Sequence, residues 1–464
     1  MAENQSVENQ IANKIKQYKE EGVRRVKLAF ADIDGVHRGK YISLDKFESI
    51  AGSTSGLCDC VLGWDVNDQL YDNVKFTGWH TGFPDAKYKV DLSTERRLVD
   101  ESNTPLYLIE LVDNDENSSH SICPRSILKR VRNKAESMGY GLNIAFEYEF
   151  FLFEETPQSA REKNYKNLTP FTPGNFGYSL IRSNVKSDLF HEFMNYCEDM
   201  GFALEGLHCE TGPGVWEGAM HYDETLQMAD KASLFKTFTK SFFQKHGLLA
   251  TFMAKWSMDY PGQSGHVHQS LFDIESKKNL FFDEKDQFKM SQLMKQYVAG
   301  QQEFLKPFLP MCSPTINSYT RLVKGAWAPT TSTWGVENRT TALRVIPGNA
   351  KSQRLEFRLG SADANPYLVA SAIIGAGLKG IEKKLNLSEP ITGNAYEQEE
   401  GLPEKWQLPS NLKDATREFS KSKEAKELFG ADFVEHFTKT REWEVREYEK
   451  SVTDWQLQRY FEII

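Results

Sequence analysis

Apolar positions along this chain change period several times, and each change marks an element. Residues 8–20 (ENQIANKIKQYKE) space them three and four apart, which predicts a helix. The run VRRVKLAFADIDG after it predicts a strand closing in a turn at Asp34-Gly35, and PLYLIELV predicts another strand. The polar stretch DNDENSSHSICPRS follows and is the best candidate for a domain boundary. Beyond Pro124, RSILKRVRNKAESMG predicts a helix and NIAFEYEFFLF a strand, while 156–175 reads as a surface loop between apolar segments. The last third alternates strand patterns (TALRVI, QRLEFRL) with helical ones (PYLVASAIIGAGLKGIEKKL, and the amphipathic EWEVREYEKSVTDWQLQRYF). That alternation favours an α+β architecture over an all-helical one.

Composition narrows the function classes. A chain of 464 residues exceeds the size of one core, so two domains are expected. Hydrophobic residues at 40% and charged residues at 26% describe an ordinary globular protein. A net charge of -9 argues against a nucleic-acid surface, which concentrates Lys and Arg. The six cysteines are scattered without a CxxC pair and read as reduced intracellular thiols. The polar opening MAENQSVENQ lacks the plan of a signal peptide, and no apolar run reaches membrane length. The expected location is the cytoplasm, with no membrane partner.

Three strand-like segments each carry charged or ligand-type residues at i and i+2: Glu147/Glu149, His266/His268 and Glu356/Arg358. Strand side chains alternate, so each pair shares a face while Phe146, Tyr148, Phe150 or Leu355, Phe357, Leu359 cover the other. One such pair reads as the wet face of an ordinary sheet. Three pairs, with Glu205, Glu210 and Glu217 in LEGLHCETGPGVWEG, read as a site for a hard or borderline cation such as Mg²⁺ or Mn²⁺. A matching set of cations follows: Arg321, Arg339, Arg344, Lys351, Arg354 and Arg358. Each alone is compatible with a surface salt bridge. Acids for metals plus arginines for phosphate oxygens is what phosphoryl transfer needs. No P-loop is present, so any ATP would be held another way. A GxGxxG match at Gly375, Gly377 and Gly380 falls inside a helix opened by Asn365-Pro366, where it cannot cradle a dinucleotide.

Taken in order, these segments resemble the glutamine synthetase family, type I branch, from about residue 20 onward. FEYEFFLF resembles its first metal strand, HCETGPGVWE its second metal segment and GHVHQSLF its histidine strand. NSYTRLVKGAWAP is similar to its substrate loop, RLEFRLGSADANPYL to its last metal strand, and VTDWQLQRYFEII to its C-terminal helix. The resemblance implies an N-terminal β-grasp domain (1–116) and a catalytic domain (117–464) built on a curved antiparallel sheet flanked by helices. It also implies a dodecamer of two stacked hexamer rings, with active sites between neighbouring subunits. Glu149, Glu210 and Glu217 would hold one metal, and Glu147, His266 and Glu356 the other. Arg321 would bind the substrate carboxylate, while Arg339 and Arg358 would meet the transferred phosphoryl group. Glu205, Ser270, Arg344 and Lys351 would lie near the nucleotide, with His268 close by.

Two departures bear on the second substrate. Ammonia-using members carry a glutamate just before Ala-Pro in the flap; here the run is Gly325-Ala326-Trp327-Ala328-Pro329. The family's Asp-Gly-Ser-Ser loop is replaced by GWDVNDQLYDN, in which Asp65 is the candidate base and Asp68 the reserve. Both departures resemble the glutamate–amine ligase subgroup, which makes γ-glutamyl amides by way of γ-glutamyl phosphate. Tyr178 in FGYS is expected to line the amine pocket. Three other readings stand beside this one. They are an ammonia-using glutamine synthetase, a non-catalytic assembly with an eroded metal shell, and a phosphotransferase for guanidino compounds lacking the glutamate-binding positions. Tyr396 sits near an adenylylated tyrosine of regulated members, but its neighbours GNAYEQEEG differ, so regulation there is not expected.

Overall fold

The computed structural model describes residues 2–113 and 120–464, the side chains of 2–7 excepted. The boundary expected between 116 and 117 lies outside the described residues. Six strands form an N-terminal sheet: Arg25–Ala31 (β1), His37–Ser43 (β2), Thr54–Cys58 (β3), Asp85–Val90 (β4), Arg96–Leu98 (β5) and Thr104–Val112 (β6). Their order is β2-β1-β6-β4-β3, with β5 also on β6 and only the β1–β6 pair parallel. The two central strands are buried on both faces, as a parallel pair usually is. Leu28, Phe30, Tyr107 and Ile109 pack with Tyr18 and Phe47 in a core of their own. The alternate positions Ala29, Ala31, Leu106 and Leu108 belong to the large core shared with the rest of the chain. Period-two patterning thus ties the first sheet to the rest of the molecule.

The second sheet has nine strands: Tyr140–Phe153 (β7), Leu204–Cys209 (β8), Val215–Met220 (β9), Asp223–Glu224 (β10), Leu249–Thr251 (β11), Gly265–Asp273 (β12), Trp334–Val336 (β13), Leu343–Ile346 (β14) and Arg354–Phe357 (β15). Its path runs β13-β14-β15-β12-β7-β9-β8, with β10 and β11 flanking β7, and every pair but β13–β14 is antiparallel. Phe146, Tyr148 and Phe150 of β7 are fully buried. Tyr148 and Phe150 pack on Phe235 of the helix Thr225–Lys245, and Phe150 also on Phe193 of the helix Ser187–Asp199. With these helices on one face, the other face of the curved sheet is left for chemistry. The architecture is α+β, as its patterning predicts.

The glycines of the GxGxxG match serve helix packing. In the helix Pro366–Glu382, a Cβ on Gly380 would stand 2.6 Å from the Gly300 Cα of the facing helix Gln292–Cys312. Two segments differ from expectation. The 156–175 loop begins with a short helix, Pro157–Glu162, whose Thr156 cap and N1 proline start it where the surroundings are polar. The C-terminal amphipathic run is two helices, Ala431–Glu449 and Asp454–Tyr460, because a Thr453/Gln456 capping box opens a new N-terminus. Among the described residues no helix is long and apolar enough to cross a membrane.

Candidate active site

β7 presents Glu147 and Glu149 on one face because its aromatic residues bury the other. Strand register then gathers their partners. Glu147 opposes His266 on β12, Glu149 opposes Glu217 on β9, and Glu217 opposes His208 on β8. On the other flank His268 opposes Glu356 on β15, which opposes Arg344 on β14. Opposed residues in a sheet share a face, so six strands deliver acids, imidazoles and an arginine to one surface. These side chains line a cavity of about 620 Å³, together with Glu210, Arg321, Arg339, Arg354, Arg358, Tyr178 and Trp327.

All six predicted metal ligands line this cavity. One ligand atom from each of Glu147, His266 and Glu356 lies within 4.8 Å of the others, and the same holds for His208, Glu210 and Glu217. Glu149 stands beside the second group, with one oxygen accepting the Ser264 amide. His208 is a site residue that sequence reasoning missed, although it forms with Glu210 the same i, i+2 pair that marked the other strands. Its ring stacks on Tyr178 at 4.3 Å, and its Nε2 lies 3.1 Å from Glu210 Oε1.

The electrostatics fit a cation. Burial opposes ionisation of Glu147, but the imidazoles of His266 and, 2.9 Å away, His268 outweigh it and hold the carboxyl below its ordinary range. Burial likewise opposes the charge of Glu356, yet Arg358, His266, His268 and Arg344 bring it down to about 2. Arg358 and Arg344 reach that carboxylate at 2.5 and 2.8 Å. Burial, then Arg358, lowers His266 to about 4, so its ring is neutral, and its Nδ1 stands 3.8 Å from Glu147, beyond hydrogen-bond distance. Its buried Nε2 has no hydrogen-bond partner. Glu217 is pushed up to about 9 by burial and then by Glu149, Glu147, Glu210 and Glu356. A neutral imidazole with a spare nitrogen, and carboxylates that repel one another, form a donor set for a hard or borderline divalent cation.

Arg321 ends the short helix Ile316–Arg321, whose Thr315 cap is anchored on Asp363. It is buried, donates to the carbonyls of Leu359 and Arg358 at 3.2 and 3.1 Å, and is lowered by burial only to about 10. The guanidinium therefore stays charged at neutral pH. Arg339 is exposed on the cavity wall, and Arg354 Nε lies 3.3 Å from His268 Nδ1. Trp327 and Tyr178 both line the cavity with left-handed backbone, φ 57° in each. The Tyr396 hydroxyl donates to the carbonyl of Ala328, next to Trp327, at 3.1 Å.

Other predicted residues stand apart. Glu205, Ser270 and Lys351 do not line the cavity; Glu205 lies 3.5 Å from His221, and Lys351 is exposed in a turn. Asp65 and Asp68 do not line it either. Both Asp65 oxygens are engaged, one by the amides of Asn67 and Gln69 and the other by Trp443 Nε1. In its own chain Asp65 is a loop anchor. Asp68 is paired through one oxygen with Arg38 at 2.7 Å.

Residues 121–460 match the profile described as glutamine synthetase, catalytic domain. The chain belongs to the glutamine synthetase family. Within the family it is 47% identical over 444 residues to a Dictyostelium discoideum protein named type-1 glutamine synthetase 2, covering 95% of this chain and 84% of that one. It is 35% identical over 440 residues to a Pseudomonas glutamate–isopropylamine ligase, covering 95% of each. A solved structure of ligand-free GmaS superposes with a TM-score of 0.83 at 26% identity, covering 97% of this chain and 99% of that one.

Proposed function

We propose that this protein is an ATP-dependent ligase that joins the side-chain carboxylate of glutamate to an organic amine, giving a γ-glutamyl amide. The observation that carries the reading is the cavity wall at Trp327. Ammonia-using members of the family place a carboxylate in this flap, whereas here an indole lines the cavity with Tyr178. Left-handed backbone at a bulky residue costs about 1–3 kcal/mol and persists where surrounding structure imposes it, often at functional sites. Two aromatics held this way beside one cavity suit an alkyl or aryl group better than a small cation.

Arg321 binds the carboxylate of glutamate, and the buried charge of its neighbourhood favours that anion. A side-chain carboxylate oxygen attacks the terminal phosphorus of ATP, the bond to the ADP oxygen breaks, and γ-glutamyl phosphate forms. The amine nitrogen then attacks the acyl carbon, phosphate leaves with the bonding pair, and the amine gives up a proton. Arg339 and Arg358 meet the charge that gathers on the transferred phosphoryl group. Glu147, His266 and Glu356 would hold one Mg²⁺ or Mn²⁺, and Glu149, Glu210 and Glu217, with His208 beside them, another. When bound, such ions neutralise and polarise phosphate oxygens. His268, Arg344 and, farther out, Glu205, Ser270 and Lys351 are assigned to the nucleotide.

The proton acceptor points to an assembly. Asp65 and Asp68 are outside the cavity of their own chain, so either can serve only by reaching a neighbour's. Asp68, with one oxygen off Arg38, is better suited than Asp65, whose oxygens are both engaged. Exposed apolar side chains at the C-terminal end (Trp455, Leu457, Phe461, Ile463, Ile464) also call for a covering partner. A dodecamer of two hexamer rings is the arrangement we assign.

Phosphate release from ATP tests the function, with glutamate, Mg²⁺ or Mn²⁺, and a panel of ammonia, alkylamines, ethanolamine, polyamines and anilines. The expected result is turnover with an organic amine well above that with ammonia. The name carried by the 47%-identical relative favours a second reading, an ammonia-using synthetase, and ammonia as best substrate would establish it.

A further inference from the structure

The loop that carries Trp327 is held from outside the cavity. Gly325 and Trp327 have left-handed backbone, φ 78° and 57°, and Ala326 and Trp327 line the cavity wall. Trp327 is 61% exposed in its own chain, so packing does not fix the indole and its place follows from the backbone. Lys324 and Thr330 stand at the two ends of this loop, and neither lines the cavity. One carboxylate meets both of them. Glu399 Oε2 lies 2.7 Å from Lys324 Nζ, and Glu399 Oε1 accepts a hydrogen bond from the Thr330 hydroxyl.

Glu399 itself is well anchored. It opens the single turn Glu399–Gly401, is buried, and its backbone carbonyl accepts from Gln407 Nε2 at 2.8 Å. The same stretch is joined to the far end of the loop by backbone: the Ser332 amide donates to the Trp406 carbonyl at 2.9 Å, and the Leu408 amide to the Thr330 carbonyl at 3.3 Å. Three residues before Glu399, the Tyr396 hydroxyl donates to the Ala328 carbonyl at 3.1 Å. Residues 396–408 thus form a strap to which the loop is tied at its start, middle and end. Water is largely excluded from the Glu399 carboxylate, so releasing either end of the loop costs it a donor that solvent does not replace.

We propose that Glu399 is a positioning residue for the second substrate: by tying both ends of the 324–330 loop it sets where Trp327 stands in the cavity, and with that which amine fits and how tightly. Glu399 does not line the cavity and acts through Trp327. The proposal rests on the reading of Trp327 as the wall facing the amine, whereas the tie itself rests on the contacts of Glu399. The Lys324–Gly325 peptide bond offers a readout independent of activity. The Lys324 side chain is 59% exposed, and trypsin cutting after it reports how often the loop leaves its strap.

The test compares wild type, Glu399→Gln, Thr330→Val and Lys324→Arg as whole proteins. Mass spectrometry reads tryptic cleavage at the Lys324–Gly325 bond, and steady-state kinetics reads kcat and the KM of the amine and of ATP. A hydrogen bond to a buried charge is worth roughly tenfold in an opening equilibrium, so Glu399→Gln should be cut there about tenfold faster than wild type. Thr330→Val should be cut faster too, and it serves where Glu399→Gln does not fold. Both should raise the amine KM severalfold and narrow the preference among amines, with kcat and the ATP KM unchanged. Lys324→Arg keeps a cation at the tie and should keep the wild-type amine profile. Two results overturn the proposal. One is cleavage of Glu399→Gln and Thr330→Val at the wild-type rate, which means that the tie does not hold the loop. The other is faster cleavage with an unchanged amine KM and amine order, which means that Trp327 keeps its place without the tie. Ammonia as best substrate would remove the amine reading alone. The same KM comparison is then made with ammonia, where a raised KM supports the positioning role and an unchanged one overturns it.

Discussion

Binding a divalent cation should expel a proton from Glu217, and the size of the effect follows from its surroundings. Its side chain is 13% exposed, and burial with four nearby carboxylates pushes it up to about 9. A free glutamate titrates near 4.3, and each unit of pKa is worth about 1.4 kcal/mol, so ionising Glu217 at pH 7 costs roughly 3 kcal/mol in the cation-free site. A bound cation removes that cost, because the proton and the cation compete for one carboxylate. Apparent affinity should therefore rise about tenfold per pH unit from 7 toward 9. Isothermal titration of chelator-treated protein with Mn²⁺, in two buffers of different ionisation enthalpy, reads the proton count directly. About one proton per chain should leave at pH 7. In Glu217→Gln that proton should disappear. The same group makes the cation-free fold pH-dependent. Its folded-state pKa lies above the unfolded one, so its stabilisation is complete below about 4.3 and is lost as pH rises toward about 9. Release of less than half a proton at pH 7, or equal release in Glu217→Gln, would refute the reasoning.

Trp327→Glu should raise kcat/KM for ammonia and lower it for alkylamines by about fourfold per methylene that loses apolar contact, which steady-state kinetics across a homologous amine series checks. An unchanged amine profile would remove Trp327 from the specificity wall. Gly380→Ala should destabilise the fold by about 1–3 kcal/mol, read as a lower urea midpoint, because the new Cβ meets backbone of the facing helix. Unchanged stability would mean that this helix pair can separate at little cost.

The strands of the site were legible because each carries its own signature. Glu147/Glu149, His266/His268 and Glu356/Arg358 alternate with large apolar residues, and alternation alone dictates a shared face. His208 carries the same signal in LHCE, two residues before Glu210, and its place in the site follows once β8 pairs with β9 and sets it opposite Glu217. The short helix at Pro157–Glu162 and the break that opens Asp454–Tyr460 as a separate helix are also written locally, in Thr156-Pro157 and in Thr453 with Gln456. What no local pattern could supply is the use to which a polar loop residue is put. Asp65 is fixed as an anchor by Trp443, which lies 378 residues away, and nothing in GWDVNDQLYDN announces that partner. Roles set by alternation or by a cap are thus readable from a few neighbouring residues. Roles set by which like charges gather depend on the whole chain, as at Glu217, which burial and the carboxylates of Glu149, Glu147, Glu210 and Glu356 push up.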